Sequence, residues 1–361
     1  MSKLILYVIF RPMRPKLSSL INTYQISDLL AAVDQLIQAT VLEPNINSRL
    51  IKPDFLKKSK KLRPILCLSV ARANSNNNND PLVQAATALE LLHQSSLIHD
   101  DIIDKSLTRH NQPTINANYG SAKALVGGDY LVGQAFLSSS ELDPRINYQL
   151  ATSYIMMCEG QQLELQDQHN PNRSIKSYLK AIEGKTAALF QKGTLIGGIL
   201  GNYNQSQLLY LEKFGQYFGV FYQLMDDLLD IYSSQELLQK DVLKDFYEGN
   251  FTYPYLLLKE QNPYLMTSIL SHNIDYAQIP KLLIQEGITA KMLRFIHSHL
   301  LKSLRSLDKV KQPSLDPIKV FCFNFLKDSI DLQVNPVDRP KLKFILNKID
   351  KDYNKLNKDV F

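Results

Sequence analysis

The chain has 361 residues, of which 45% are hydrophobic, so it can enclose a sizeable core as one large domain or two ordinary ones. Its 41 Lys and Arg residues against 35 Asp and Glu give a net charge of +6, which suits anionic ligands but lacks the dense basic clusters of a nucleic-acid partner. Three distant cysteines without a C-x-x-C pair indicate neither a disulfide framework nor a zinc site, and they favour a reducing compartment.

The N-terminal segment carries the first signals along the chain. Its apolar run, residues 4–10, is too short to span a bilayer, and no small-residue cleavage site follows it, which argues against secretion. Four basic residues and no acidic one precede Asp28, a bias shared by organelle transit peptides. We expect a cytoplasmic protein with residues 1–20 as an N-terminal extension, and organelle targeting stays open.

Residues 21–361 are predicted to form a single all-α domain. Strand-like alternation is scarce, whereas apolar residues recur at intervals of three and four, as in Leu211, Phe214 and Phe218. None of the loops is long enough to separate independent domains. The clearest loops, all rich in turn-forming residues, are residues 72–81, 166–174 and 311–317.

The C-terminal stretch KLKFILNKIDKDYNKLNK, residues 341–358, is a candidate for a basic amphipathic helix. It has two interpretations: a solvated outer helix of the bundle, or a helix that docks on a membrane. We favour the outer helix, because basic amphipathic helices on a bundle surface are ordinary features.

Two segments repeat one spacing of aspartates inside otherwise apolar helices: HDDIIDKSLTRH at 99–110 and YQLMDDLLDIY at 222–232. Positions four apart lie on one face of a helix, about 6 Å apart along its axis, so Asp100 and Asp104 point the same way, as do Asp226 and Asp230. The first clamp comprises Asp100, Asp101 and Asp104, and the second clamp comprises Asp226, Asp227 and Asp230.

The two clamps predict a metal site. Carboxylates this close repel each other by roughly a few kcal/mol per pair near a protein surface, so they seldom gather without a cation. One such motif alone is typical of a solvated helix face, but two copies in apolar helices favour a bound ion. Because no His or Cys cluster accompanies them, the ligand chemistry favours Mg²⁺ over zinc.

Cationic and hydroxyl side chains near the clamps suit diphosphate oxygens. Each one alone is typical of an ordinary surface position, but together with two metal clamps they predict a site for two anionic substrates. They are Lys60, Lys61 and Arg63 in KSKKLRP, Arg109 and His110 after the first clamp, Lys185 and Thr186 in EGKTAALF, and Lys240 after the second clamp.

With these motifs in order, the sequence resembles the trans-type isoprenyl diphosphate synthases over about residues 55–255. The resemblance rests on KKLRP, LELLHQSSLIHDDIID, TRHNQPT, GGDYLVGQAF, EGKTAALF, GQYFGVFYQLMDDLLDIY and EGNFTYP. It implies a single large helix bundle of the isoprenoid synthase type. It also implies a Mg²⁺-dependent polyprenyl diphosphate synthase that condenses isopentenyl diphosphate with an allylic diphosphate.

The resemblance also implies roles for individual residues. Both clamps would hold Mg²⁺ on the allylic diphosphate, and Asp100, Asp104, Lys185 and Asp226 would be the catalytic residues. The allylic diphosphate would also contact Arg109, Lys185, Thr186, Gln223 and Lys240, and isopentenyl diphosphate would contact Lys60, Arg63 and His93. His110 is included in the substrate site, where the family has the second arginine of a pair.

Some positions depart from the family pattern. Lys58 and Ser59 stand where the family has paired glycines, and Asn250 stands where it often has lysine. A neutral imidazole at His110 binds diphosphate less well than a guanidinium. The six aspartates of the clamps are retained, so we expect the metal site to be intact.

Ser95 and Ser96 are predicted to set product length. They lie about one turn before Asp100, where the resemblance implies the floor of the allylic site, and a bulky aromatic there would block elongation. Small side chains at both positions favour geranylgeranyl diphosphate or a longer polyprenyl diphosphate.

Two alternatives to an active polyprenyl diphosphate synthase remain. A non-catalytic partner subunit of a heteromeric prenyl diphosphate synthase would account for His110, Ser59 and Asn250. A class I terpene cyclase shares the fold but carries an Asn-Ser-Glu arrangement in place of the second clamp, and none is evident after Asp230. The resemblance further predicts a homodimer, and the poor solubility of long prenyl products predicts a peripheral membrane contact.

Overall fold

The computed structural model describes residues 17–42, 59–75, 78–109, 112–234 and 243–358. Its first helices are α1 (Ser18–Thr23), α2 (Ser27–Leu42), α3 (Leu62–Arg72), α4 (Asn79–Ile103), α5 (Ile115–Tyr119) and α6 (Ser121–Ser138). The middle of the chain forms α7 (Pro144–Gln166), α8 (Ile175–Ile182), a π-helical turn (Glu183–Ala187), α9 (Ala188–Leu200) and α10 (Gln205–Tyr232).

The remaining helices follow the second clamp. They are α11 (Lys244–Tyr247), α12 (Tyr253–Gln261), α13 (Pro263–Leu270), α14 (Ile279–Gln285), α15 (Ile288–Val310), α16 (Asp316–Gln333) and α17 (Arg339–Lys358). Two short 3₁₀ turns cover Tyr276–Gln278 and Pro313–Leu315, and a small antiparallel pair joins β1 (Thr108–Arg109) to β2 (Gln112–Pro113). The predicted all-α class is confirmed.

The helices pack around α9 and α10, which lie side by side at the centre. Helix α9 also contacts α3 and α7, α10 contacts α15 on its other side, and α4 packs along α6. The apolar stripe predicted on α10 faces this core, where Leu211, Phe214 and Phe218 are fully buried. Spacings of three and four residues place these side chains on one face of the helix, so their burial holds α10 against its neighbours.

Side-chain caps begin two of the long helices. Helix α10 begins with a reciprocal cap in which the Gln207 N–H donates to Asn204 Oδ1 at 3.0 Å and the Asn204 N–H donates to Gln207 Oε1 at 3.1 Å. Helix α7 begins with Asp143 as its cap and Pro144 in its first turn. These caps define the residues at which the long helices α7 and α10 begin.

The two ends of the domain differ in how closely they match expectation. Leu20 is fully buried and Leu17 nearly so, so the packed domain begins earlier than the predicted residue 21, because α1 contributes to the core. At the C-terminal end, α17 buries Leu342 and Leu346 against the bundle, as an outer helix does. Among the described residues, no helix combines the length and apolar character needed to cross a membrane.

Candidate active site

Both clamps lie at the ends of their helices. Asp104 is the residue that ends α4, and the second clamp occupies the last turns of α10. Lys185 in the π-helical turn and Glu164 in the last turn of α7 reach the same region, since the Lys185 ammonium approaches Asp100 of the first clamp. One end of the bundle therefore brings the two clamps and Lys185 together.

Within the first clamp the three carboxylates have different environments. The Asp101 side chain is 2% exposed, and its Oδ1 accepts a hydrogen bond from Arg109 Nε at 2.9 Å and forms an ion pair with Arg109 Nη2, also at 2.9 Å. The second oxygen of Asp101 has no partner among the described residues. Asp100 and Asp104 remain about one-fifth exposed. Burial raises the pKa of both Asp100 and Asp101, so the charged forms require compensation by cations.

Lys185 supplies part of that compensation. Its Nζ lies 2.5 Å from Glu164 Oε1 and 3.9 Å from Asp100 Oδ1. Burial alone would lower the pKa of Lys185, but the charges of Asp100 and Glu164 outweigh it and raise that pKa above its ordinary value. The lysine is therefore a permanent cation at the site, oriented by a glutamate that the sequence reasoning missed.

A close approach of two backbones places Lys185 beside Glu164. A Cβ on Gly160 of α7 would lie 2.2 Å from the backbone nitrogen of Lys185, and one on Gly184 would lie 2.6 Å from the carbonyl oxygen of Met156. Only glycine fits at either position, so α7 and the π-helical turn touch directly. Such single-turn π segments occur frequently at functional sites.

In the second clamp, Asp227 is held on both oxygens. The Tyr178 hydroxyl donates a hydrogen bond to Oδ2, and Gln223 Nε2 donates to Oδ1 at 2.9 Å. The hydroxyl of Thr186 donates to Gln223 Oε1 at 2.6 Å, which connects this network to the π-helical turn. Burial raises the pKa of Asp227 to about 7, and the bonds from Tyr178 and Gln223 oppose that rise.

The other members of the second clamp differ in exposure. Asp230 is 2% exposed and accepts a hydrogen bond on Oδ1 from the Lys244 backbone N–H at 3.2 Å. Asp226 is only half-buried. Asp226 is thus the carboxylate of this clamp that a ligand reaches most readily.

A second basic subsite forms between α3, α4 and α9. Arg63 Nη1 and His93 Nε2 lie 3.1 Å apart, and the Arg63 guanidinium stacks on the Phe190 ring with its carbon 4.4 Å from the ring centroid. Glu90 is buried nearby; its Oε1 accepts from Gln94 at 2.6 Å, while burial raises its pKa. These contacts bring together two of the three residues expected to bind isopentenyl diphosphate.

The remaining predicted residues fall into three groups. Lys60 is exposed, while its neighbour Lys61 pairs with Asp34 at 2.8 Å. Ser95 is fully buried within α4, and the half-buried Ser96 donates to the carbonyl oxygen of His93 at 2.8 Å. His110 and Lys240 lie outside the described residues.

The donor set suits Mg²⁺. Its potential ligands are hard carboxylate oxygens, and the buried Oδ2 of Asp101 lacks a hydrogen-bond donor. Among the residues that the structure describes, no group of three or more acidic, His or Cys side chains forms a ready-made ion cage. Mg²⁺ needs only one or two protein carboxylates, because water and ligand phosphates complete its shell.

Comparison with known proteins places this arrangement in a family. A family model described as Polyprenyl synthetase matches residues 47–283, which is more than half of the chain. The chain belongs to the polyprenyl synthetase family. Both clamps, Lys185 and the Arg63–His93 pair lie inside the matched region.

Two curated members of the polyprenyl synthetase family illustrate the similarity. The all-trans-nonaprenyl-diphosphate synthase (geranyl-diphosphate specific) of Rhodobacter capsulatus is 35% identical over 198 residues, covering 55% of this chain and 61% of that protein. The heptaprenyl diphosphate synthase component 2 of Geobacillus stearothermophilus is 33% identical over 198 residues, covering 55% of this chain and 62% of that protein. The chain thus spans about three fifths of the length of these relatives.

A solved structure supports the assignment of the fold. The octaprenyl pyrophosphate synthase of Helicobacter pylori superposes with a TM-score of 0.68 at 27% identity, covering 81% of this chain and 99% of that chain. The similarity therefore extends well beyond the motifs. The predicted membership of the isoprenyl diphosphate synthases is confirmed.

The hydrogen bond from Tyr178 to Asp227 generates a testable prediction. Tyr178→Phe removes the donor from a buried carboxylate, so we expect the free energy of unfolding to fall by about 1.5–3 kcal/mol. Urea denaturation measures the change. Tyr203→Phe is the matched control: this buried hydroxyl donates to the neutral carbonyl of Val70 at 3.2 Å, so its loss should cost about 1 kcal/mol. An equal loss in the two variants would contradict the prediction.

Proposed function

We propose that the protein is a Mg²⁺-dependent prenyltransferase that condenses isopentenyl diphosphate with an allylic diphosphate. The observation that supports this proposal most directly is that both clamps and Lys185 lie together at one end of an apolar bundle. Membership of the polyprenyl synthetase family supports the same reaction, and the names of the relatives favour products of geranylgeranyl length or longer.

The allylic diphosphate is held and activated at the clamps. Mg²⁺, held by accessible carboxylates such as Asp100, Asp104 and Asp226, supplies Lewis-acid stabilisation of the departing diphosphate. Lys185 donates hydrogen bonds to the same diphosphate, and Glu164 fixes the direction of its ammonium. Arg109 opposes the rise that burial causes in the pKa of Asp101 and holds that carboxylate in place. This preorganised charge favours breaking of the allylic C–O bond, since it stabilises charge that develops as the bond breaks.

The second substrate is held across from the first. Arg63, His93 and Lys60 bind the diphosphate of isopentenyl diphosphate, which presents its double bond to the allylic cation. The double bond attacks the cation, a C–C bond forms, and a proton passes to the released diphosphate. The apolar helices exclude water, which would otherwise convert the cation to an alcohol.

The direct test is an incubation of the purified protein with farnesyl diphosphate, labelled isopentenyl diphosphate and Mg²⁺. We expect a ladder of longer prenyl diphosphates, separated by chain length after dephosphorylation, and none when EDTA removes the metal. Absence of any condensation with geranyl, farnesyl or geranylgeranyl primers would refute an enzyme that acts alone. A cyclic hydrocarbon product would instead indicate a terpene cyclase.

Product length gives a second test. Ser96→Phe introduces an aromatic ring one turn before Asp100, so with geranyl diphosphate as the primer we expect the ladder to end at farnesyl or geranylgeranyl diphosphate. Ser96→Ala is the matched control, because the Ser96 hydroxyl donates to the His93 carbonyl of its own helix, and its ladder should match the unaltered protein. If the Ser96→Phe variant gives an unchanged ladder, the side chain at position 96 does not determine product length.

We also propose a homodimer that forms through the outer faces of α6 and α7. Val126 and Ile155 on these helices are more than half exposed, as are Leu125, Leu137 and Tyr148. Several large exposed apolar side chains on two consecutive helices are typical of an interaction surface.

Sedimentation equilibrium of Val126→Glu with Ile155→Glu should give half the mass of the unaltered protein. Tyr264→Glu, at an 88% exposed residue of α13, is the control and should remain a dimer. A monomeric unaltered protein would refute the proposal.

The alternative is a partner subunit of a heteromeric synthase. One relative is named a component 2 of heptaprenyl diphosphate synthase, and this favours considering a second chain. That reading expects activity only after mixing with another protein, so turnover by the purified chain alone excludes it. Cytoplasmic location and peripheral membrane contact stay predictions from the sequence.

A further inference from the structure

Lys244 lies between the two clamps. It is the first residue of α11, and two hydrogen bonds fix it to the second clamp: the Leu243 N–H donates to the Asp230 carbonyl at 2.9 Å, and the Lys244 N–H donates to Asp230 Oδ1 at 3.2 Å. Leu243 adopts a left-handed conformation with φ of 56°. The backbone of Lys244 is therefore held on Asp230, directly after a residue in the left-handed conformation.

The Lys244 side chain extends toward the first clamp. Its Nζ lies 3.2 Å from Glu248 Oε1, 3.3 Å from Ser106 Oγ and 3.9 Å from Asp104 Oδ2. Glu248 is on the same helical turn, four residues later, and so restrains the ammonium. A residue anchored on the second clamp thus delivers its positive charge to the first.

Lys185 and Lys244 have matching environments. Each ammonium lies 3.9 Å from one of the two more exposed carboxylates of the first clamp, Lys185 from Asp100 and Lys244 from Asp104. Each is also paired with a glutamate of its own, and the two side chains are 25% and 31% exposed. The clamp is therefore flanked by two restrained cations that ligands can reach.

We propose that Lys244 is a further diphosphate-binding lysine, the counterpart of Lys185 on the other side of the first clamp, and that Glu248 positions it. This role rests on the proposed function. A separation of 3.9 Å from Asp104 is too long for a hydrogen bond, so the ammonium is not committed to that carboxylate. An ammonium has three donors, and Glu248 and Ser106 accept at most two of them in the described part of the chain.

The charges around the site determine where the third N–H of the Lys244 ammonium points when the site is occupied. Once a divalent cation neutralises the first clamp, the attraction of Lys244 for Asp104 weakens, and the cation itself repels the ammonium. The strongest negative charge within reach is then the diphosphate bound beside the clamp. Glu248 keeps the Lys244 side chain at the site while its ammonium moves from Asp104 toward the diphosphate.

The test measures binding without turnover. Isothermal titration of the full-length protein with farnesyl thiodiphosphate, an allylic analogue that ionises poorly, is carried out at saturating Mg²⁺. Lys244→Met should weaken binding by about 10- to 100-fold, the effect of losing a charge-assisted hydrogen bond. Lys244→Arg should retain most of the affinity, and Glu248→Gln should lose several-fold. Lys259→Met is the control, because that ammonium contacts the neutral amide of Asn172 at 2.6 Å and should bind normally.

A separate measurement distinguishes ligand binding from a structural role. Binding of Mn²⁺ to the protein alone, followed by electron paramagnetic resonance, should be unchanged or slightly tighter in Lys244→Met, since a competing cation has been removed. Normal analogue affinity in Lys244→Met overturns the assignment, as does a loss that the Lys259→Met control shares. If the unaltered protein does not bind the analogue, the proposed function itself fails, which is a different result from normal binding by both proteins.

Discussion

The crowding of carboxylates at one end of the bundle is the constraint on which the site depends. Asp101 and Asp227 are almost completely buried, and burial makes their charges costly. Arg109 pairs with the first, and hydroxyl and amide donors hold the second. Lys185 reaches the more exposed Asp100. The protein thus compensates its innermost carboxylates with its own groups, and the outer ones stay accessible to the cation and diphosphate that we propose.

That compensation explains several irregular features of the fold. The direct contact of α7 with the π-helical turn, which needs Gly160 and Gly184, brings Lys185 beside Glu164. Leu243, in the left-handed conformation just before α11, likewise places Lys244 against Asp230. The π-helical turn and the left-handed Leu243 thus both lie where a lysine meets the carboxylates of the clamps.

Much of the fold could be read from periodicity, because helix formation depends on spacing along the chain. The stripe through Phe214 and Phe218 predicted the buried face of α10, and the turn-rich segment at 166–174 predicted the break between α7 and α8. Neither observation indicates which helices pack together. Leu20 shows this limit, since a residue placed in an N-terminal extension is fully buried in the core.

The spacing of aspartates within two apolar helices determined by itself that Asp100 shares a helix face with Asp104, and Asp226 with Asp230, because that argument uses only local helix geometry. The bound cation that this spacing favours stays a prediction. Which side chains supply the remaining charge was decided by the tertiary structure. Glu164, Tyr178 and Lys244 carry no distinctive local signal, and they gain their roles when distant segments meet at the clamps. A partner supplied from another helix depends on packing and on backbone approach, neither of which is encoded in a short stretch of sequence.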